Sequence, residues 1–194
     1  MDNKIKLIVD TIGKEKFKFN QPISNFTAIK IGGPAKLFFI AFTVREIIKI
    51  VELCRQLRLP FLIFGTGSKV LISDYGFDGV VIKNRTREVK ILSIKGKVSK
   101  VGIGVEEVLI EVESGVSLSS FVDFLNKQGL LSEEFVDIQG SIGGNIFINN
   151  IMQRKIESVK VINQDGDLVT ILAHELSLSK HIILSAVFKI KASN

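Results

Sequence analysis

Apolar residues first recur at helical spacing. Ile5, Ile8, Val9 and Ile12 predict a short helix within residues 3–18. Asn20, Gln21 and Pro22 then signal a turn. The segment FTAIKIGG, residues 26–33, mixes alternation with β-branched residues and predicts an extended stretch that stops at paired glycines. Residues 35–42 are apolar enough for a buried strand. Thr43 followed by Glu46 has the spacing of a capping box. The helix it opens should present Ile47, Ile48, Val51 and Leu57, with Cys54 on or beside that face, and should end before Pro60.

Beyond Pro60 the pattern turns to strands. FLIFGTGSKVLI is an apolar run, a glycine loop and a second apolar run, so it predicts strand, tight loop, then turn or strand. VVIK predicts another short strand. Residues 84–100 are charged, and Lys95-Gly96-Lys97 predicts a hairpin turn between ILSI and VSKVGI. VLIEVESG alternates as a strand; Ser117 should cap a helix over LSSFVDFLNKQGL, with Gly129 as its stop. FVDIQGSIGGNIFINN carries a second glycine-rich loop. VKVINQDGDLVTI predicts a hairpin turning at Asp165-Gly166, and HIILSAVFKI a final strand. Strands dominate and helices are few. The fold class is therefore α+β, without the regular alternation of a parallel dinucleotide-binding sheet.

Composition narrows the chemistry. A 194-residue chain with 46% hydrophobic residues suits one domain or two small lobes sharing a ligand. At that size folding buries roughly 70% of the unfolded surface, enough for a core without staples. With Trp absent, Tyr75 the sole tyrosine and fourteen Phe, the aromatic content reads as core packing. One cysteine, Cys54, excludes an intramolecular disulfide and a thiolate metal cluster, and reads as a packed thiol. With His174 and His181 the only histidines, no His-rich metal site is expected. The N-terminal apolar run is short and broken by charge, and no stretch approaches the ~18 apolar residues of a membrane span. A cytoplasmic protein without a membrane partner is the expectation. The net charge of +6 suits anionic partners such as a phosphorylated cofactor or a nucleotide sugar. The lysines form no stripe with interleaved aromatics, so nucleic acid is not an expected partner.

The glycine loops are the candidate sites. In Gly65-Thr66-Gly67-Ser68, glycines permit close approach of a ligand, consecutive amides can form an anion nest, and Ser68 adds a hydroxyl. Lys69 would add direct charge pairing with a phosphate. Gly140-Ser141-Ile142-Gly143-Gly144 offers the same chemistry of small residues, bare amides and a hydroxyl. Neither closes as a Walker A loop, and neither opens a long helix as a dinucleotide fingerprint does. Tight turns without a ligand are the competing reading of each. Branched residues at Gly67 or Gly143 are expected to abolish ligand binding and leave the chain folded. Asp74 and Asp78 read as turn aspartates beside Gly76 and Gly79, His174 as exposed and His181 as packed.

Four segments, in order over residues 24–194, resemble the UDP-N-acetylenolpyruvoylglucosamine reductase family. They are SNFTAIKIGGPAKLFF, GTGSKVLISDYGFDGVVIK, VESGVSLSSFVDF and EEFVDIQGSIGGNIFINN, with VKVINQDGDLVTI matching the hairpin that follows. The resemblance implies a two-lobed α+β FAD-binding domain of the type shared with p-cresol methylhydroxylase and vanillyl-alcohol oxidase. It implies an extension over 1–20, one lobe over 21–84 and a second over 85–194, with FAD extended between the lobes. Gly65, Thr66, Gly67, Ser68, Lys69, Val70 and Leu71 would hold the pyrophosphate. Ile138, Gly140, Ser141, Ile142, Gly143, Gly144 and Asn149 would line the flavin and phosphates, with Gly115 and Ile183 close by. The family reaction is the NADPH-dependent reduction of an enolpyruvyl UDP-sugar in peptidoglycan precursor synthesis, which makes FAD the expected cofactor, NADPH the reductant and a UDP-sugar the substrate.

The departures bear on activity. The family's loop asparagine is Lys69 here; its Ile-Pro-Gly is Ile138-Gln139-Gly140; its Asn-Ala-Gly is Asn149-Asn150-Ile151. The family's Tyr-Arg-x-Ser segment has no counterpart between Leu176 and Ile182, and the chain ends at Asn194, where the family's substrate domain would begin. No catalytic residue can be carried over. The expectation is a flavoprotein of this type with reduced or no turnover alone. The alternatives are a non-catalytic flavin-binding module whose chemistry is lost or completed by a partner chain, and a structural or nucleotide-binding relic without FAD.

Overall fold

The computed structural model describes residues 3–99 and 102–192, and the chain divides into two compact units, Met1–Thr86 and Arg87–Asn194.

In the first unit, helix α1 (Asn3–Ile12) and strand β1 (Phe17–Pro22) are followed by β2 (Pro34–Ala41), α2 (Val44–Gln56), β3 (Phe61–Phe64) and β4 (Phe77–Asn84). The sheet order is β1-β2-β4-β3. β1 runs antiparallel to β2, while β2, β4 and β3 are mutually parallel. Parallel strands need both faces covered, which is why β2 and β4 are near-continuous apolar runs. The α2 capping box forms as its spacing predicts: the Thr43 hydroxyl accepts from the Glu46 amide, and the Glu46 carboxylate accepts from the Thr43 amide. The buried stripe of α2 is Ile47, Ile50, Val51 and Cys54, so Ile50 and Cys54 occupy its centre in place of Ile48 and Leu57. Positions i, i+3, i+4 and i+7 fall on one line of a helix, and Ile48 sits at its margin. α2 packs on α1, β2 and β4.

A second cluster, Ile23, Ala35, Phe38, Phe64, Ile72 and Val81, brings in Phe26 and Val70 from the loops. Phe26 stacks on Phe38 at 4.5 Å between ring centroids. The segment 26–33 is not extended as its alternation suggests. A 3₁₀ turn over Ile23–Phe26 leads into a loop in which the Thr27 hydroxyl donates to the Ile31 carbonyl at 2.9 Å. Packing of Ile23 and Phe26 into the core overrides the local pattern.

The second unit is an antiparallel sheet of order β5-β6-β9-β7-β8. Its strands are β5 (Val89–Ser99), β6 (Gly102–Glu113), β7 (Ile156–Ile162), β8 (Leu168–Ile171) and β9 (Ile182–Lys191), with helices α3 (Leu118–Lys127), α4 (Ile142–Ile146) and α5 (Asn150–Lys155). Lys95-Gly96-Lys97 is not a hairpin turn. These residues continue β5 opposite Glu107, Val105 and Gly104, with a register irregularity between Lys95 and Gly96. Gly96 marks a bulge inside the strand, a use of glycine that local composition does not separate from a turn. Residues 100 and 101, which join β5 to β6, lie outside the described residues. Val108, Ile110 and Val112 of β6 and Phe188 and Ile190 of β9 share one core with Phe121 and Leu125 of α3, Ile142 and Ile146 of α4 and Met152 of α5. Ser117 caps α3, and the 163–167 turn closes the β7–β8 hairpin through Asn163 and Asp167. Among the described residues no helix is long and apolar enough to cross a membrane.

Candidate functional site

The first glycine loop leaves the carboxyl end of β3, the end of a parallel sheet at which ligands are usually held. Gly67 has φ +80, and a Cβ there would lie 2.0 Å from the Phe26 carbonyl oxygen. The Gly67 carbonyl accepts from the Ala28 amide at 3.1 Å. The 26–28 segment therefore locks the loop from behind, and no side chain fits between them. Ahead of that contact, the hydroxyls of Thr66 and Ser68 lie 3.0 Å apart. The amides of Thr66, Gly67 and Ser68 donate to no backbone carbonyl among the described residues. Consecutive free amides with two hydroxyls are the donor set of an anion nest. Lys69 and Leu71 are exposed, Val70 is half-buried, and Ile72 anchors the loop in the core.

Beneath this loop is a residue that sequence reading passed over. Lys83, near the end of β4, is buried. Its ammonium donates to the Gly65 carbonyl at 2.8 Å and lies 4.8 Å from the Phe64 ring centroid and 5.8 Å from that of Phe26. Burial, with repulsion from Arg85, holds its pKa below the ordinary lysine value. The available signal was a lysine directly after the apolar run Val80–Ile82 of β4.

The second glycine segment is a turn that runs into α4. Gly140 has φ +114. Its carbonyl accepts from the Leu118 amide at 2.9 Å, the Ile142 amide donates to Val116 at 2.8 Å and the Gly143 amide to Ser114 at 2.9 Å. The Ser141 hydroxyl caps α4 by accepting from the Gly144 amide. The amides of Ile142, Gly143 and Gly144 are thus engaged inside the protein, which corrects the expectation of a bare nest. Gly143 is small for an internal reason: a Cβ there would meet the Ser114 Cβ at 2.9 Å. Gly144 differs, with only the Ser141 hydroxyl, at 3.3 Å, within 4 Å of such a Cβ.

These contacts gather most of the second unit's candidates. The Ser117–Ser141 bridge joins the 114–117 turn to residues 140–143, and the Ser114 amide donates to the Leu184 carbonyl at 2.8 Å, beside Ile183. Gly115 is half-buried in that turn, and Ile138 is half-buried against the core. Asn149 caps α5, its side-chain oxygen accepting from the Ile151 and Met152 amides at 2.9 and 3.1 Å. Asn145, fully buried, was missed: its amide donates to the Gln139 and Ser141 carbonyls at 3.0 and 2.9 Å and holds the turn. His174 is exposed, and His181 accepts from the Ser177 amide at 3.1 Å through Nδ1. The donor set of the 65–71 loop fits a phosphate-bearing cofactor such as FAD.

The chain is 33% identical over 186 residues to the UDP-N-acetylenolpyruvoylglucosamine reductase of Chlamydia felis, covering 88% of this chain and 58% of that protein. It superposes on the UDP-N-acetylenolpyruvylglucosamine reductase of Thermus caldophilus with a TM-score of 0.64 at 20% identity, over 90% of this chain and 62% of that one. On p-cresol methylhydroxylase the TM-score is 0.59 at 14% identity, covering 99% and 43%. The chain spans roughly three fifths of the length of the curated relatives it matches, and it has the α+β fold shared by these flavoproteins. A family model described as the FAD binding domain matches residues 35–172, and the chain belongs to that family of FAD-binding domains.

Proposed function

We propose that residues 65–71 bind the pyrophosphate of FAD. The carrying observation is the row of amides at Thr66, Gly67 and Ser68 that donate to no backbone carbonyl among the described residues, with the two hydroxyls 3.0 Å apart. The backbone would hold the anion, and the Phe26–Gly67 contact would keep the loop from closing on itself. In the second unit the proposed FAD contacts are Gly115, Ile138, residues 140–144, Asn149 and Ile183. With the Ile142, Gly143 and Gly144 amides engaged, the exposed backbone at Gly144 and the Asn149 side-chain amide are groups that can meet a ligand. Bound FAD supplies two-electron redox chemistry.

Similarity to the reductases supports a finer reading, in which NADPH is the reductant and an enolpyruvyl UDP-sugar the acceptor. In this chain residues 176–181 form a short turn, with Lys180 and His181 donating their amides to the Ser177 carbonyl, and they contain no arginine. On that basis we propose that turnover of the nucleotide sugar by this chain is poor. Hydride transfer needs the acceptor held in a near-attack geometry, and the loss of one clamp raises the barrier by several kcal/mol.

Titration with FAD, followed by flavin absorbance and fluorescence, tests the binding. A micromolar Kd, about −8 kcal/mol, is expected. Absence of binding at tens of micromolar protein would overturn the assignment. For turnover, reduced FAD-loaded protein is mixed anaerobically with the enolpyruvyl nucleotide. Reoxidation at ~1–10³ s⁻¹, the ordinary enzymatic range, would show that the chain carries a catalytic set of its own.

A further inference from the structure

We propose that Lys83 is the positioning residue and the buried counter-charge of the 65–71 anion loop. The inference rests on the reading of that loop as a pyrophosphate site.

Three observations carry it. The first is geometric. The Lys83 ammonium donates to the Gly65 carbonyl at 2.8 Å. In a trans peptide the C=O and the following N–H point in opposite directions within one plane. Pinning the Gly65 carbonyl toward Lys83 therefore turns the Thr66 amide away from it, on the exposed side of the loop. Without that anchor the peptide plane is free to rotate, and the first donor of the nest loses its direction.

The second observation is the charge balance. Lys83 is only 8% exposed, and no carboxylate forms an ion pair with it among the described residues. The Phe64 and Phe26 ring centroids at 4.8 and 5.8 Å offer partial compensation through their π faces. Arg85 adds a second positive charge nearby and disfavours the protonated form. A buried cation without an acidic partner costs stability, and lysine is almost never fully buried unless paired. A dianionic pyrophosphate on the loop above would supply the missing countercharge.

The third is placement. Lys83 pairs in register with Phe64, the residue that leads into the loop, and with Ile40 of β2. It stands on the same face of β4 as Val81, which packs beneath Ile72 and Val70 of the loop. The ammonium is thus carried to the loop by two parallel strands, a rigid support for a group whose task is orientation.

The test compares wild type, Lys83→Met and Lys83→Arg by FAD titration and by thermal unfolding of the FAD-free protein. The expected result is an FAD Kd raised roughly tenfold or more in Lys83→Met, the scale of one charge-assisted hydrogen bond. Lys83→Arg should recover most of that loss. The FAD-free Tm of Lys83→Met should equal or exceed wild type, because an apolar side chain is cheaper to bury than an ammonium. Unchanged FAD affinity in Lys83→Met, with wild type binding FAD, would overturn the role of Lys83 and leave the loop assignment intact. A lowered FAD-free Tm in parallel with the lost affinity, without rescue by arginine, would assign Lys83 a purely structural role. Should the methionine variant not fold, the Lys83 side-chain resonance of the wild type decides. Its titration midpoint should rise when inorganic pyrophosphate binds, with Arg85 present in both states; no shift would overturn the proposal. Failure of the wild type to bind either FAD or pyrophosphate would remove the loop assignment itself.

Discussion

Gly67 is constrained by its own chain before any ligand arrives. Its φ of +80 and the Phe26 carbonyl 2.0 Å from a would-be Cβ leave no room for a side chain. Gly67→Ala is therefore expected to destabilise the first unit by about 1–3 kcal/mol, read as a lower chemical-denaturation midpoint without FAD. Gly67 and Gly143 both fail as clean reporters of ligand contact, contrary to the expectation from sequence, because each packs against protein. Gly144→Ala is the better probe. Its new methyl meets only a hydroxyl, so stability should stay within about 0.5 kcal/mol of wild type. FAD affinity should nevertheless fall, and an unchanged Kd would remove Gly144 from the proposed contacts. Cys54, fully buried on α2, has its thiol pushed up to about 12 by burial. It should resist alkylation in the native protein at pH 8–9 and react fully in denaturant. Rapid native labelling would contradict the packing of α2.

At the scale of elements, local signals read correctly where a side chain answers to its own neighbours. The α2 capping box is such a case, since Thr43 and Glu46 need only each other's backbone. Thr43→Ala should cost about 1 kcal/mol, measured by denaturant unfolding. For Glu46, burial pushes the pKa up, but hydrogen bonds from the Phe42 and Thr43 amides and the Lys16 ammonium outweigh it and hold the value below normal. Its folded value lies below its unfolded one. Its contribution is therefore present above the unfolded value and is lost as pH falls through the folded value. The stability gap between wild type and Glu46→Gln should be full at neutral pH and close in acid; a gap that persists in acid would separate the effect from ionisation. Local signals failed where a partner strand decided. Gly96, between Lys95 and Lys97, looks like a turn residue, yet pairing with Val105 keeps it in β5. The glycines at 140–144 look like a second nest, yet the backbone of Ser114 and Val116 takes two of its amides. Val105 lies nine residues along the chain, and Val116 and Ser114 lie 26 and 29 residues from the amides they take, so the composition around each glycine does not reveal its partner.

For the whole molecule, each unit builds its own core, and the second is centred on an aromatic triad. Phe121 lies 5.0 Å from Phe188 and 5.6 Å from Phe135 between ring centroids. Phe121→Ala is expected to cost about 3–5 kcal/mol, seen as an early unfolding transition; a loss under 1 kcal/mol would mean the triad is not the centre of that core. The sequence by itself determined the α+β class, the order of most strands and helices, the α2 and α3 caps and the position of the first glycine loop. Those features depend on periodicity, on turn chemistry and on pairs of residues a few positions apart. It also carried the family's motifs, which need only order along the chain. Tertiary structure alone decided which glycine amides stay free for a ligand, that Gly67 is held by Phe26, and that Lys83 sits beneath Gly65. Each of these is a contact between segments about 18 or more residues apart. Hydrogen-bond donors and charges are written in the sequence; whether they are spent inside the fold or left for a cofactor depends on what folding brings against them.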